Sequence, residues 1–346
     1  MPTDLTRSKE FSEQFLTWAR GKGRILIVAH DNPDPDSLAA AMALQHLFLK
    51  KLGQRATIAY GGIIGRSENR VMVNKLEIDA VPLERLNLDE FRVVCMVDTQ
   101  PGTGNNSFPR DRMVHLIIDH HPAQAICSSC RWVDIRPNYG AAATILFEYL
   151  QAQQVSFGTK LATILFYAIK SETQDLGREW CQADRSAYLQ LLPQANNHIL
   201  FDILHPQVPR AYFASISKAI HSARVYGDVL VFNLLEIDNP DIVAEFAELF
   251  MRTEGVVVVL GMGCFEPREV LSFRTRLHNL HAGDIMRSVV AGLGTAGGHG
   301  LIAGGQIEGQ SGDWASQRAL EQTLTKRLLT ALGRPLQKGQ RLVPAP

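Results

Sequence analysis

Four short runs, "RILIVAH" from residue 24, "RATIAYGG" from 55, "RVVCMVDT" from 92 and "VHLIIDHH" from 114, constrain this chain most. Each is dominated by apolar, largely β-branched residues, and stretches able to form helices, such as 36–51, separate them. Runs that are apolar throughout, rather than alternating, read as strands buried on both faces, and their alternation with helical stretches reads as βαβ units. A parallel sheet with helices on both faces is therefore expected. Ahead of it, Leu5, Phe11, Phe15 and Trp18 recur near helical spacing, and Gly21 and Gly23 follow, which predicts an amphipathic helix laid on the sheet.

Three of these strands end in chemistry. His30 follows "ILIVA", Asp98 follows "VVCMV", and Asp119, His120 and His121 follow "HLII". Open parallel sheets bind ligands beyond the carboxyl ends of their strands. The loop after the first strand, "HDNPDPD", adds Asp34 and Asp36. Carboxylates crowded together oppose one another's ionisation unless something positive compensates them. A divalent cation, or two, is the simplest compensator, and a mixed imidazole and carboxylate set without thiolate suits Mn2+ or Mg2+ better than a structural zinc. Singly each residue has a plainer explanation: Asp36 reads as a helix N-cap, Asp98 before "TQPG" as a turn residue. Their joint occurrence at three strand ends is what points to a site.

Farther along, 140–154 and 159–172 read as helices, 184–205 as a less apolar helical stretch, and "LHPQVPR" with its two prolines as a break. From about residue 212 strands and helices alternate again, through "GDVLVFNLLEI", "GVVVVLGMG", "REVLSFRT" and the glycine-rich "GLGTAGGHGLIAGG". The expected organisation is a metal-binding domain over 1–185, a helical connector over 186–211 and a smaller α/β domain over 212–346. The tail "LGRPLQKGQRLVPAP" reads as a loose end.

Composition narrows the function classes. Lys plus Arg and Asp plus Glu are 35 each, so no broad basic field of the kind that grips long nucleic acid is expected. No basic, apolar, small-residue leader stands at the N-terminus, and no apolar run nears the ~18 residues that span a bilayer. A soluble, cytoplasmic protein without a membrane partner is the expectation. The five cysteines are scattered, and "CSSC", Cys127 to Cys130, is a lone C-x-x-C without a second ligand pair to make a zinc site.

Taken in order, "HDNPDPD", "VDT", "DHHP" and "GGHGLIAGG" resemble the motifs of the DHH/DHHA1 phosphoesterases, a family that includes RecJ-like exonucleases and nanoRNases that also remove phosphate from 3′-phosphoadenosine 5′-phosphate. The motifs spread from residue 25 to about 308. The resemblance implies two Mn2+ ions, with Mg2+ as the alternative: His30 and Asp34 on one, Asp36 and His120 on the other, Asp98 bridging. It further implies Asp119 supporting the histidine pair and His121 directed to the scissile phosphate. The family aspartate of a "TDT" stretch is matched by Glu172 in "KSETQDLGR", with Asp175 three residues on as the other candidate. Two departures are Ala39-Ala40, where the family has Gly-Ser, and Ala296, where it has the first glycine of Gly-Gly-Gly-His.

In the second domain the resemblance makes Arg274, Gly297, Gly298 and His299 the clamp for a phosphate or nucleotide end. A planar guanidinium and a glycine-rich loop suit that task in themselves. The implied reaction is hydrolysis by two-metal activation of water at a cleft between the domains. The implied substrates are short single-stranded oligonucleotides, linear dinucleotides or 3′-phosphoadenosine 5′-phosphate. The alternatives are a RecJ-like single-strand exonuclease, an inorganic pyrophosphatase or exopolyphosphatase, and a non-catalytic nucleotide-binding module, the last supported only by Glu172. A homodimer is open.

Overall fold

The computed structural model describes residues 5–124 and 130–344, with His299 described by its main chain only. Cys127 lies outside the described residues. The chain divides into two compact units, Met1–Pro206 and Gln207–Pro346.

The first unit runs α1 (Leu5–Ala19), β1 (Arg24–Val28), α2 (Pro35–Leu52), β2 (Thr57–Tyr60), α3 (Ser67–Leu76), β3 (Ala80–Pro82), β4 (Phe91–Val97), β5 (Leu116–Asp119), β6 (Trp132–Ile135), α4 (Ala142–Ala152), α5 (Thr159–Glu172), α6 (Gln182–Leu191) and α7 (Asn197–Leu204). Its six strands form one parallel sheet in the order β3-β2-β1-β4-β5-β6. Alternate residues serve opposite faces: Ile25 and Ile27 join the core with α1, α2, α4 and α5, while Leu26 and Val28 join Val94, Met96 and Ile117 on the other side. Burial on both faces explains why these strands read as unbroken apolar runs. The strand order reverses between β1 and β4, and at their carboxyl ends Asp98 follows β4 directly and His30 follows β1 after Ala29, the place where such sheets bind ligands.

Helix α2 starts where its sequence dictates. Asp34 is the N-cap, accepting the Ser37 N–H at 2.9 Å, and Pro35 occupies the first helical position. The cap is thus Asp34 and not Asp36, because proline at the first helical position sets the start two residues earlier. The alanines Ala39, Ala40, Ala41 and Ala43 are all buried and let α2 sit closely against its neighbours. Gly53 ends the helix at φ 68°, with its N–H on the Leu49 carbonyl.

The expected helix over 184–205 is two helices, because Pro193 terminates α6 in a 3-10 turn and Asn196 caps α7 anew. Leu191 and Ile203 are buried in the core of the first unit.

The second unit runs α8 (Arg210–Ser222), β7 (Arg224–Tyr226), β8 (Val229–Glu236), α9 (Asp241–Phe250), β9 (Val258–Phe265), β10 (Arg268–Thr275), α10 (Ala282–Val290), β11 (Thr295–His299), β12 (Ile302–Glu308), α11 (Trp314–Ala331) and β13 (Gln340–Arg341). The sheet order is β11-β12-β10-β9-β8-β7-β13, with β8 and β9 parallel across α9 and the other pairs antiparallel. One face packs with Met286, Val289, Leu324 and Leu328, the other with Ala219, Val243, Phe246 and Phe250. The tail is not loose: β13 pairs with β7, Leu342 packs on the second of these cores, and Arg334 grips Asp228 through Nε and Nη2 at 2.9 and 2.6 Å. A bidentate ion pair and a strand partner supply what its composition does not reveal.

A candidate metal centre at the strand ends

His30, Asp34, Asp36, Asp98, Asp119, His120 and His121 converge on the carboxyl edge of the first unit's sheet. His30 places Nε2 3.5 Å from Asp34 Oδ1 and 3.6 Å from Asp98 Oδ2. His120 places Nε2 3.4 Å from Asp98 Oδ1 and 3.7 Å from Asp36 Oδ2. His121 Nδ1 lies 3.5 Å from Asp98 Oδ1 and 2.8 Å from Asp119 Oδ1. Two groups of donor atoms, His30 with Asp34 and Asp98, and Asp98 with His120 and His121, each fall within 4.8 Å, so Asp98 belongs to both.

Backbone and neighbours orient each side chain. His30 Nδ1 engages the Asp31 carbonyl at 2.8 Å and His120 Nδ1 the Tyr139 carbonyl at 3.1 Å. With Nδ1–H donating, Nε2 of both rings is left for a ligand. Asp36 is held by the first N–H groups of α4, Ala142 at 2.7 Å and Ala143 at 2.8 Å. Asp119 accepts the His121 N–H at 3.0 Å, its Nδ1 at 2.8 Å and the Gln100 amide at 2.7 Å. Because Asp119 takes His121 Nδ1, the second set is better completed by Asp36 than by that nitrogen. Asp98 stands at φ 57°, a left-handed conformation that aspartate tolerates and that recurs at functional sites.

The electrostatics describe a centre short of positive charge. Asp36, Asp98 and Asp119 are 1, 2 and 1% exposed. Burial and then the Asp98 charge push the Asp36 carboxyl well above the usual carboxylate range. Burial, followed by Asp34, raises Glu172. Burial opposes protonation of the histidines, but the carboxylates override it: Asp34 first, for His30, which is pushed up to about 10. Asp98 does the same for His120, and Asp119 for His121. Asp98 Oδ1 is buried without a hydrogen-bond donor. A buried oxygen of this kind calls for a partner, and a cation between imidazole and carboxylate donors fits both the orphan and the charge balance.

Glu172, the last residue of α5, acts electrostatically on this cluster, with Asp34, His120 and Asp98 among its determinants. Asp175 is held elsewhere, by Lys170 and by the Tyr188 hydroxyl at 3.0 Å. Sequence reasoning did not single out Gln100, the Tyr139 carbonyl or the α4 N-terminus. Gln100, two residues after Asp98, could have been flagged as one more polar group at a strand end; the others leave no local signal.

In the second unit, Arg274 on β10 is mostly buried and pairs with Glu248 of α9 at 3.1 Å. Gly297 and Gly298 are exposed on β11. A Cβ at Gly298 would fall 2.3 Å from the Ile302 carbonyl, so only glycine fits there, whereas Gly297 faces open space. Arg274 pairs with Ile302, and Ile302 with His299, which sets residues 274 and 299 on one line two strand spacings, about 10 Å, apart. The His299 side chain is outside the described set.

The first unit is thus an α/β domain with a parallel sheet, its α-helices gathered on one face and loops and 3-10 turns (Leu83, Phe108, Val114) covering the other, not helices on both faces as the sequence suggests, and its switch-point edge carries a carboxylate and histidine centre. Residues 24–169 match the DHH family, N-terminal domain, and the unit is a DHH-family domain. An uncharacterized protein of Methanocaldococcus jannaschii is 31% identical over 319 residues, 90% of this chain and 65% of that protein. A probable manganese-dependent inorganic pyrophosphatase of Lactobacillus gasseri is 24% identical over 149 residues, 43% of this chain and 47% of that one. The chain therefore spans less than two thirds of either relative's length. In fold it is similar to an exopolyphosphatase-related protein from Bacteroides fragilis, with TM-score 0.71, 15% identity and coverage of 94% of this chain and 98% of that one. It is also similar to exonuclease RecJ bound to manganese, with TM-score 0.50, 14% identity and coverage of 95% of both. Among the described residues no helix is long and apolar enough to cross a membrane.

Proposed function

We propose that this chain is a metal-dependent phosphoesterase, using Mn2+, that hydrolyses short oligonucleotides or linear dinucleotides to mononucleotides, removes phosphate from 3′-phosphoadenosine 5′-phosphate, or does both. The observation that carries this reading is Asp98: a buried carboxylate shared by two donor sets, with one oxygen lacking a hydrogen-bond partner. His30, Asp34 and Asp98 would hold one ion, and Asp98, Asp36, His120 and Glu172 the other. Such a pair, when bound, lowers the pKa of water and stabilises charge on attacking and leaving oxygens. The relatives named for manganese support the choice of ion.

The remaining work falls to the chain itself. Asp119 and Asp98 raise the proton affinity of His121, which is partly exposed and would donate to a phosphate oxygen. Arg274, Gly297 and Gly298 would take the far phosphate or nucleotide end, with residue 299 in line beside them. Hydrolysis of inorganic pyrophosphate or polyphosphate is the second reading, favoured by the names of two similar proteins. The "GGH" strand and Arg274 favour the first.

The test is product analysis with and without Mn2+ against 3′-phosphoadenosine 5′-phosphate, a dinucleotide, a short RNA, a long single-stranded DNA and pyrophosphate. Mn2+-dependent turnover of the short nucleotide substrates is expected. Asp98→Asn, which keeps shape and backbone preference, should lose several kcal/mol of transition-state stabilisation, a fall of at least about 100-fold. Turnover of pyrophosphate alone would move the assignment to the second reading; an undiminished Asp98→Asn would remove the shared ligand.

A further inference from the structure

One loop reaches two ligands that lie on different elements. Between β6 and α4 the Tyr139 carbonyl accepts from His120 Nδ1, and where this loop enters α4 the Ala142 and Ala143 N–H groups donate to the two oxygens of Asp36. The geometry of both ligands therefore depends on where this loop is held.

Asp184 holds it. This residue of the first turn of α6 is fully buried. Its Oδ2 accepts the Gly140 N–H at 2.8 Å and the Cys181 N–H at 2.8 Å, and its Oδ1 accepts the Thr144 hydroxyl at 2.6 Å. The Cys181 bond is half of a capping box and needs no further explanation. The other two are long-range and leave α6 altogether. Cys181 also closes the segment that begins at Glu172, and that segment touches the loop directly: a Cβ on Gly140 would lie 2.6 Å from the Glu179 carbonyl and 2.7 Å from Thr173 Cγ2. One carboxylate thus fastens the loop that orients His120 and Asp36 to the segment that starts at Glu172.

We infer that Asp184 is a positioning residue for the cation site of Asp36, His120 and Glu172 with Asp98, acting through the Tyr139 carbonyl and the α4 N-terminus, and that the His30 and Asp34 site depends on it far less. The inference rests on the metal-site reading above. Outer partners of metal ligands are worth about 10- to 100-fold in affinity, so a loss of that size confined to one site is expected.

The experiment is a Mn2+ titration of the full chain by calorimetry and electron paramagnetic resonance, on wild type, Asp184→Ala, Asp184→Asn and Thr144→Val, with melting temperatures alongside. Wild type should show two sites and the spectrum of a coupled ion pair. Asp184→Ala should weaken one site about 10- to 100-fold and abolish the coupled spectrum at concentrations that still fill the other. Asp184→Asn can face Gly140 and Cys181 with its oxygen and Thr144 with its amide, so it should recover most of the loss. Thr144→Val severs one bond and should weaken the same site several-fold, which keeps the test open if Asp184→Ala does not fold. Unchanged sites in Asp184→Ala and Thr144→Val, or both sites weakening together in step with melting temperature, would overturn the inference. A wild type that binds no Mn2+ would instead overturn the metal-site reading and take the inference with it.

Discussion

Glu269 offers a sharp test of the burial reasoning, away from the metal centre. It lies on β10, fully buried; Oε2 accepts the Gln317 amide at 2.6 Å, and Oε1 has no donor. Burial outweighs the Gln317 hydrogen bond and pushes its carboxyl from 4.5 up to about 7. That difference is worth about 3 kcal/mol. Below pH 4.5 the carboxyl is protonated in folded and unfolded chains alike and costs nothing. As pH rises from 4.5 to about 7 the unfolded chain ionises first, so the folded state binds more protons and stability falls, with the loss complete above 7. Glu269→Gln has no proton to lose, and its amide can serve the Gln317 oxygen, which also lacks a donor. Denaturation of both proteins at pH 5 and pH 8 should therefore give similar stabilities at the lower pH. At the higher pH the variant should lead by about 3 kcal/mol, a melting difference on the order of 10 °C for a unit of this size. Other titrating groups cancel in the comparison. Curves that stay parallel across the range would refute the argument.

Two further perturbations probe the first unit. Gly140→Ala drives a methyl to 2.6 Å from the Glu179 carbonyl, an overpacking that should cost about 1–3 kcal/mol and lower the melting temperature by about 2–4 °C per kcal/mol. Gly158→Ala, which meets nothing within 4 Å, should leave melting nearly unchanged, and equal effects of the two would contradict the packing. Glu172→Gln should weaken Mn2+ binding about tenfold or more. Asp175→Asn, which disturbs an exposed pair worth at most about 1 kcal/mol, should leave it within about twofold. Calorimetric titration separates them, and the reverse order would return Asp175 to the ligand set.

The fold was legible because burial leaves its mark on composition. Strands β1, β4 and β5 are covered on both faces and so read as continuous apolar runs, and the polar residue that ends each run is where the sheet edge begins. Features set by one residue against a continuing pattern were harder. Pro193 breaks a helix whose periodicity runs through it, and Pro35 moves the cap from Asp36 to Asp34; both prolines stood in view and needed more weight than the pattern around them. The pairing of β13 with β7 has no sequence counterpart, since a two-residue strand carries no period.

The ligands and their supports differ in the same way, and the difference has a physical cause. The proposed ligands are side chains of His and Asp that the loops after the strands deliver, so His30, Asp34, Asp36, Asp98 and His120 are written in local text. The groups that orient them are mostly main chain: the carbonyls of Asp31 and Tyr139, and the N–H groups of Ala142 and Ala143. Any residue supplies those atoms, so no side-chain identity records them. The next layer has side chains again but no proximity in sequence. Asp184 lies 44 residues from Gly140, and Gln100 lies 19 from Asp119. The choice between Glu172 and Asp175 belongs to this layer too, because it turns on the path of the chain beyond α5. The chain leaves the helix through Thr173, and Lys170 with Tyr188 captures Asp175 before it can reach the cluster. Chemistry fixes which residue types can form such a centre; tertiary hydrogen bonds decide which of them do.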